Sequence, residues 1–590
     1  MAKAALESRV KRTAGSAIKR FDREAPRGGG SFTYIGSGEF GGKAEGLATI
    51  QKTITDSIGS GKIGETTVAI PSLVVITTEF FDAFMERNRL WETVALDLPD
   101  DRVAHAFQKA DLPAELVGDL RALAHGVRVP LALRSSSLLE DAVQCPFAGV
   151  YMTKMTPNNQ LDADERFRKL AEGIKLVWAS TFLAQARAYR RSVGRNDRDE
   201  KMAVIAQEVA GRRYGSRFYP NVSGVARSYN YYPAGHARPE DGVALLALGL
   251  GKTVVDGEPS WTYSPAYPKA PPPFNSIGDL LKHTQAEFWA VNMGRVPYDP
   301  IKETEHLVRV GVSEAEEDDT LRFVASTYDT NSNRIAAGTT VRGPRVINFA
   351  PLLQYGQVPL NDLILALLSA CEGALGGPVE IEFAVVFDPR NGVPADCGFL
   401  QVRPLIVGNE RVNVDESEME RADTFVACRR ALGNGTVDDL QDVVYVKPGE
   451  YNRLSTAAIA AEVASFNDRL VAAGCAYLLL GPGRWGTTDP SGGVPVKWGQ
   501  VSGARVMVEA SSPEHPGELS QGSHFFHNLT NLRVLYFSVS EGEGEKIDWE
   551  WLGRQAAVDE TRFLRHVRLG APLLIKVDGR SGRGVIAHHD

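Results

Sequence analysis

The stretch Val379-Glu380-Ile381-Glu382-Phe383-Ala384-Val385-Val386 is followed by Gly398-Phe399-Leu400-Gln401-Val402-Arg403-Pro404. Between them, Asp388 to Asp396 is rich in Pro, Asn, Gly and Asp, so the spacing predicts a hairpin with a long loop. Strand side chains alternate faces. Glu380 and Glu382 therefore share one face, as do Gln401 and Arg403 on the partner, while Ile381, Phe383, Leu400 and Val402 take the core face. Two carboxylates, a carboxamide and a guanidinium on one sheet face suit a Mg²⁺–triphosphate site, with hard oxygens for the metal and a fork donor for phosphate. The competing reading is a solvated face carrying an ordinary cross-strand Glu–Arg pair.

Working outward, Gly36-Ser37-Gly38-Glu39-Phe40-Gly41-Gly42-Lys43 opens a helical pattern at Ala44. Such a turn can bring backbone N–H groups and the Lys43 charge to an anion. It is not a Walker A loop, because the spacing and the Lys-Ser/Thr ending are absent. Leu131-Ala132-Leu133-Arg134-Ser135-Ser136-Ser137 is a β run that delivers Arg134 and three hydroxyls to its carboxyl end, where α/β sheets bind ligands. The three serines could equally cap a helix. Short β-like runs (Thr67–Ile76, Pro130–Leu133) alternate with helical patterns (Thr78–Thr93, Pro113–His125), an α/β signature, and Asp162–Arg191 reads as one long helical segment.

The composition is that of an ordinary globular chain: 590 residues, 43% hydrophobic and 23% charged, with net charge −8. That length suggests three or four domains. The net charge argues against nucleic acid as a partner. The longest apolar run, Leu363–Cys371, is too short for a membrane span and is flanked by Asp362 and Glu372. Five scattered cysteines imply neither a disulfide framework nor a zinc site. Residues 1–30 read as a basic, partly helical tail without a secretory apolar region, and a cytoplasmic location is expected.

Taken in order, Gly41-Gly42-Lys43, Arg134-Ser135-Ser136 through Phe147-Ala148-Gly149, and Glu382 with Gln401-x-Arg403-Pro404 resemble one family. It is the ATP-binding half of phosphoenolpyruvate synthase and pyruvate phosphate dikinase, shared with rifampin phosphotransferase. Trp178-Ala179-Ser180 to Ala188-Tyr189-Arg190 resembles the family's helical insert, and Val204–Val209 its hinge strand. Ser223-Gly224-Val225 resembles the next strand, and Leu248–Gly251 through Glu258 the second Gly-rich turn. The resemblance covers roughly residues 31–405. It implies an α/β (α+β) chain with an ATP-grasp-like, two-lobed nucleotide module and a separate C-terminal α/β domain. The expected divisions are a tail over 1–30, an N-terminal lobe over 31–200 with the insert at about 160–200, a second lobe over 201–405, and a domain of unassigned role over 406–590.

The resemblance further implies an ATP- and Mg²⁺-dependent phosphotransferase. Lys43 and Arg134 would contact phosphates beside Gly41 and Gly42, and Gln207 with the backbone at Val209 would hold adenine. Glu382 and Gln401 would bind Mg²⁺, Arg403 would stabilise the transferring phosphoryl group, and Glu380 would be a second acidic ligand or an orienter of the phosphate site. Lys252 belongs to the nucleotide set although the family commonly has Glu there. Ala226-Arg227-Ser228 stands where the family continues Met-Phe-Thr. The family's Gly-Gly-x-Thr-Ser/Cys-His carrier signature is absent, and the 185 residues after Leu405 are too few for its barrel, which needs roughly 200–250. The acceptor would be a small molecule or a protein, with a partner subunit or a second copy of the chain (a homo-oligomer) compatible with the plan.

In the C-terminal segment, Gly481-Pro482-Gly483-Arg484-Trp485-Gly486 after an apolar strand could bind an anionic acceptor, with Lys497 and Arg505 nearby, or be a rigid turn with Trp485 as core. His524, after Gly522-Ser523 and one turn before His527, is the candidate phosphocarrier; ordinary polar residues beside Phe525-Phe526 are the alternative. A nucleotide-binding regulator without turnover and one subunit of a split phosphotransfer system are the rival functions.

Overall fold

The computed structural model describes residues 18–25, 32–57, 62–63, 66–96, 98–140, 149–192, 194–233, 235–270, 276–356, 358–387, 395–405, 407, 412–487, 493–511, 529, 534–540, 542 and 544–588. His524 and His527, Pro146 to Ala148 and the N-terminal residues 1–17 lie outside them.

The chain is mixed α/β, with two principal sheets facing a cleft and a third behind them. The first sheet runs Lys19–Arg20, Phe32–Ile35, Leu73–Ile76, Met202–Glu208, Leu131–Ser137, Lys154–Thr156. The second runs Trp261–Tyr263, Val243–Ala247, Val222–Arg227, Val379–Val386, Asp396–Pro404, Thr66–Ala69, Lys62–Ile63. The run expected as one strand, Thr67–Ile76, is therefore two strands in different sheets. Pro71 explains the break, since it cannot donate to a ladder. Met202–Glu208 pairs along its length with Leu131–Ser137, so the lobes exchange strands rather than meeting at residue 200.

The hairpin forms as expected, and its register sets Glu380 opposite Arg403 and Glu382 opposite Gln401. Beyond them the register slips, and Phe383 pairs with Phe399. This bulge turns Leu400 off the core face expected for it: Phe399 is fully buried, while Leu400 is half-buried and lines the cleft. The helix Gly42–Ser57 packs on this strand through Ala44, Leu47, Ala48 and Ile54, an i, i+3, i+4 stripe that is almost wholly buried. The expected insert is two helices, Ala163–Ser180 and Ala184–Ser192, interrupted at Thr181 to Leu183.

Behind the lobes, Gly435–Val446, Tyr477–Pro482, Ala504–Ser511 and Leu535–Ser540 form a parallel run inside a ten-stranded sheet. The crossover Thr456–Ala472 joins the first two, and antiparallel strands from Leu564–Asp578 onward complete the sheet. This domain has its own core around Val443, Leu478, Val506 and Ile575. Its other face is continuous with the core of the first lobe, where Trp485, Trp498 and Phe466 join one cluster with Phe81, Trp178 and Tyr189. Among the described residues no helix is long and apolar enough to cross a membrane.

Candidate nucleotide cleft

A cleft of about 390 Å³ opens between the two lobes. Seven expected site residues line it: Lys43, Arg134, Gln207, Val209, Lys252, Glu382 and Gln401. Gly41, Gly42, Glu380 and Arg403 are not among the lining residues.

Arg134 is the centre of this arrangement. It sits on Leu131–Ser137 of the first lobe and reaches across to the hairpin of the second. Nη1 donates to Gln207 Oε1 (2.9 Å) and to the Leu400 carbonyl (2.8 Å), and Nη2 donates to Gln401 Oε1 (2.7 Å). The Leu400 carbonyl comes within reach at the bulge, so the slip in register is part of how the site is built. Nη2 also lies 3.7 Å from Glu382 Oε2. One planar fork thus ties three separate strands together, which a point charge could not do.

Glu382 is flanked rather than bonded. Arg134 stands on one side and Arg403 Nη2 on the other at 3.6 Å, and among the described residues it accepts no hydrogen bond. The carboxylate faces the cleft beside Gln401 Oε1. Mg²⁺ takes one or two carboxylates from a protein while phosphates and water complete its octahedron, and Glu382 supplies one such oxygen donor with the hard carboxamide oxygen of Gln401 beside it. Among the described residues no group of three or more His, Cys, Asp or Glu side chains is placed to hold a metal ion. The donors present fit the metal.

Glu380 and Arg403 differ from their expected places. Glu380 is 1% exposed and held between two guanidiniums, with Arg227 Nε at 2.5 Å and Arg403 Nε at 2.6 Å. The cross-strand Glu–Arg pair of the competing reading is real, but it is buried rather than solvated. Glu380 takes both Nε and Nη2 of Arg403, whose Nη2 stands 3.6 Å from Glu382, and Arg403 is not among the residues that line the cleft. Arg227 supplies a second counter-charge to the buried carboxylate.

The Gly-rich turn also differs. The N–H groups of Gly38 and Glu39 donate to Thr77 and Thr78 hydroxyls, and Ser136 Oγ receives Ala44 N–H at 3.1 Å. These donors serve the fold, and the turn's contribution to the cleft is Lys43. Gly41 adopts φ +76°, and a Cβ there would meet the Ser136 carbonyl at 1.8 Å, so glycine is required. Lys43 Nζ donates to Ser135 Oγ (3.2 Å) and pairs with the buried Glu140 carboxylate.

Lys252 pairs with Asp256 at 2.7 Å. Burial alone would lower its pKa, but Asp256, Glu303 and Glu258 outweigh that and raise it, so it stays charged. Farther along, Met155, Val209, Leu250 and Leu307 form an apolar slot suited to a planar base. Gln207 Nε2 is buried there and has no partner among the described residues, which makes it an available donor. The Val209 N–H is taken by the Pro130 carbonyl (2.9 Å). Tyr151 also lines the cleft and donates to Glu200 at 2.5 Å; burial raises the Glu200 pKa to about 7.

Several contributors carry no sequence signal of their role. Glu140, 97 residues from Lys43, and Arg227, 153 residues from Glu380, are defined only by packing. In the C-terminal turn, Trp485 is fully buried, with its N–H on Glu509 (2.7 Å) and Nε1 on the Val508 carbonyl (3.1 Å), so the rigid-turn reading holds for it. Arg505 pairs with Asp439 at the surface, while Lys497 lines the cleft.

The family model of the pyruvate phosphate dikinase AMP/ATP-binding domain matches residues 37–424. Rifampicin phosphotransferase of Streptomyces sviceus is 27% identical over 213 residues, 32% of this chain and 22% of that protein. Phosphoenolpyruvate synthase of Aeropyrum pernix is 25% identical over 240 residues, 37% of this chain and 25% of that protein. The matches therefore span about a quarter or less of each relative's length.

Proposed function

The chain belongs to the pyruvate phosphate dikinase AMP/ATP-binding domain family, and from that premise we propose that it is a Mg²⁺-dependent phosphotransferase that uses ATP. The adenine would enter the apolar slot beside Gln207, and Lys43, Arg134 and Lys252 would receive the phosphates. Glu382 and Gln401 would hold Mg²⁺, which supplies charge neutralisation on the phosphate oxygens when bound. The observation that carries this reading is the Arg134 fork, which fixes the carboxamides of Gln207 and Gln401 and flanks Glu382 in one cleft. Phosphoryl transfer asks a protein mainly for position and charge, and this lining offers both without a nucleophile. Arg403, clamped by Glu380, would hold Glu382 in place rather than touch the phosphoryl group.

The acceptor is proposed only by class: a small molecule, a protein or a partner subunit, with His524 as the candidate carrier within this chain. Purified protein incubated with Mg²⁺ and ATP, labelled separately in the β- and γ-phosphates, tests the proposal. Release of ADP or AMP with label on the protein or on an added acceptor supports it, and acid-labile label lost in His524→Ala would assign the carrier. Absence of any ATP binding would refute it. A second reading, a nucleotide-binding regulator without turnover, is favoured by the engagement of Lys43 with Glu140; tight ATP binding with no product under any acceptor would select it.

A further inference from the structure

The third domain reaches the cleft. Its turn Trp498–Gln500 packs on the helix Ala184–Ser192: the Trp498 and Tyr189 rings are 6.5 Å apart, and a Cβ on Gly499 would lie 2.9 Å from that of Ala188. Val494, Val496 and Val501 continue this contact into the core shared with Phe182 and Tyr189. The same domain also meets the segment after the strand Val222–Arg227, where Tyr231 and Tyr232 pack against that shared core. It is thereby fixed to both lobes, and residues at its edge have a defined place relative to the cleft.

Lys497 is at that edge. Its backbone N–H donates to Gln500 Oε1 (2.7 Å), which closes the turn, and its side chain is exposed along the cleft lining with Asp100, Gly149 and Gln185. Asp100 is already engaged by the Ala184 N–H (2.8 Å). The other three cations of the lining each have a carboxylate within 4 Å: Glu140 for Lys43, Glu382 for Arg134 and Asp256 for Lys252. Lys497 has no ion-pair partner among the described residues. An exposed ammonium without an ion-pair partner, at the edge of a cleft whose lining holds three further cations, is an arrangement that a polyanion stabilises.

We infer that Lys497 binds a phosphoryl group in this cleft, so that the C-terminal domain completes a site otherwise built from the two lobes. The inference rests on the reading of the cleft as a nucleotide site. The phosphoryl group has two sources, the tail of the nucleotide or a phosphate on the acceptor side. Titrating the full chain and Lys497→Ala with Mg²⁺ and, separately, ATP, AMP and inorganic phosphate distinguishes them. ATP affinity falling about tenfold (about 1.4 kcal/mol), with AMP affinity unchanged and Lys497→Arg restoring it, assigns Lys497 to the nucleotide tail. Selective loss of inorganic phosphate binding assigns it to the acceptor side. Equal affinities for all three ligands in wild type and variant, or a parallel loss that includes AMP, overturn the inference. Failure of the wild type to bind ATP or AMP refutes the parent reading, and the phosphate titration then still reports on Lys497.

Discussion

Replacing Arg134 with lysine keeps one positive charge in the cleft and removes the fork. The guanidinium makes three hydrogen bonds of 2.7–2.9 Å, to Gln207, the Leu400 carbonyl and Gln401, and stands 3.7 Å from Glu382. A single ammonium cannot span these partners in one plane, so at least one buried acceptor loses its donor. A hydrogen bond to a charged group is worth about 1.5–3 kcal/mol. At about 1.4 kcal/mol per factor of ten, the loss of one such contact to a phosphate weakens ATP binding roughly tenfold to a hundredfold. Arg134→Met should cost more, because Glu382 loses one of its two flanking charges. The assay is calorimetric titration of Mg²⁺–ATP into each variant, with thermal melting to show that the fold survives. An Arg134→Lys protein that melts as wild type and binds ATP equally well would refute the assignment of the fork to phosphate recognition.

Glu382→Ala should abolish the Mg²⁺ dependence of ATP binding while leaving the melting curve near wild type, and unchanged metal dependence would remove Glu382 from the site. Glu380→Gln leaves Arg227 and Arg403 as two buried guanidiniums without their carboxylate, so urea unfolding should report a destabilisation of about 3–5 kcal/mol. A wild-type unfolding curve would mean that this pair of contacts is dispensable. Burial raises the Glu200 and Glu509 pKa values to about 7 from 4.5. The folded state therefore binds more protons than the unfolded one between those values, and stability falls as pH rises from about 4.5 to 7, then levels off. Glu509→Gln should flatten part of that slope in melts taken across pH 4.5–8, and an unaltered slope would contradict the burial argument.

The parts legible in the sequence are those that local rules determine. Alternation in 379–386 and 398–404 shows the hairpin and the face that carries Glu382 and Gln401 to the cleft, while the register, Glu380 opposite Arg403 and Glu382 opposite Gln401, is set by the pairing itself. The bulge that exposes Leu400 escaped, because one extra residue leaves the apolar pattern on either side intact. The strand Met202–Glu208 was recognisable as a strand, but its placement in the first sheet depends on pairing with Leu131–Ser137, some 70 residues earlier, which no local pattern encodes. The same holds for side chains. Lys43, Arg134 and Glu382 stand in motifs, whereas Glu140 and Arg227 take their places from partners distant in the chain. Trp485 and Lys497 lie twelve positions apart, and only the packing of one turn on the helix Ala184–Ser192 brings the second to the cleft.

The most direct test of the central claim is the affinity of the intact protein for ATP with and without Mg²⁺, measured alongside Glu382→Ala. A cleft of the proposed kind binds ATP in wild type, more tightly with the metal than without it, and loses that difference in the variant. Equal affinities with and without Mg²⁺, or no binding at all, would contradict it.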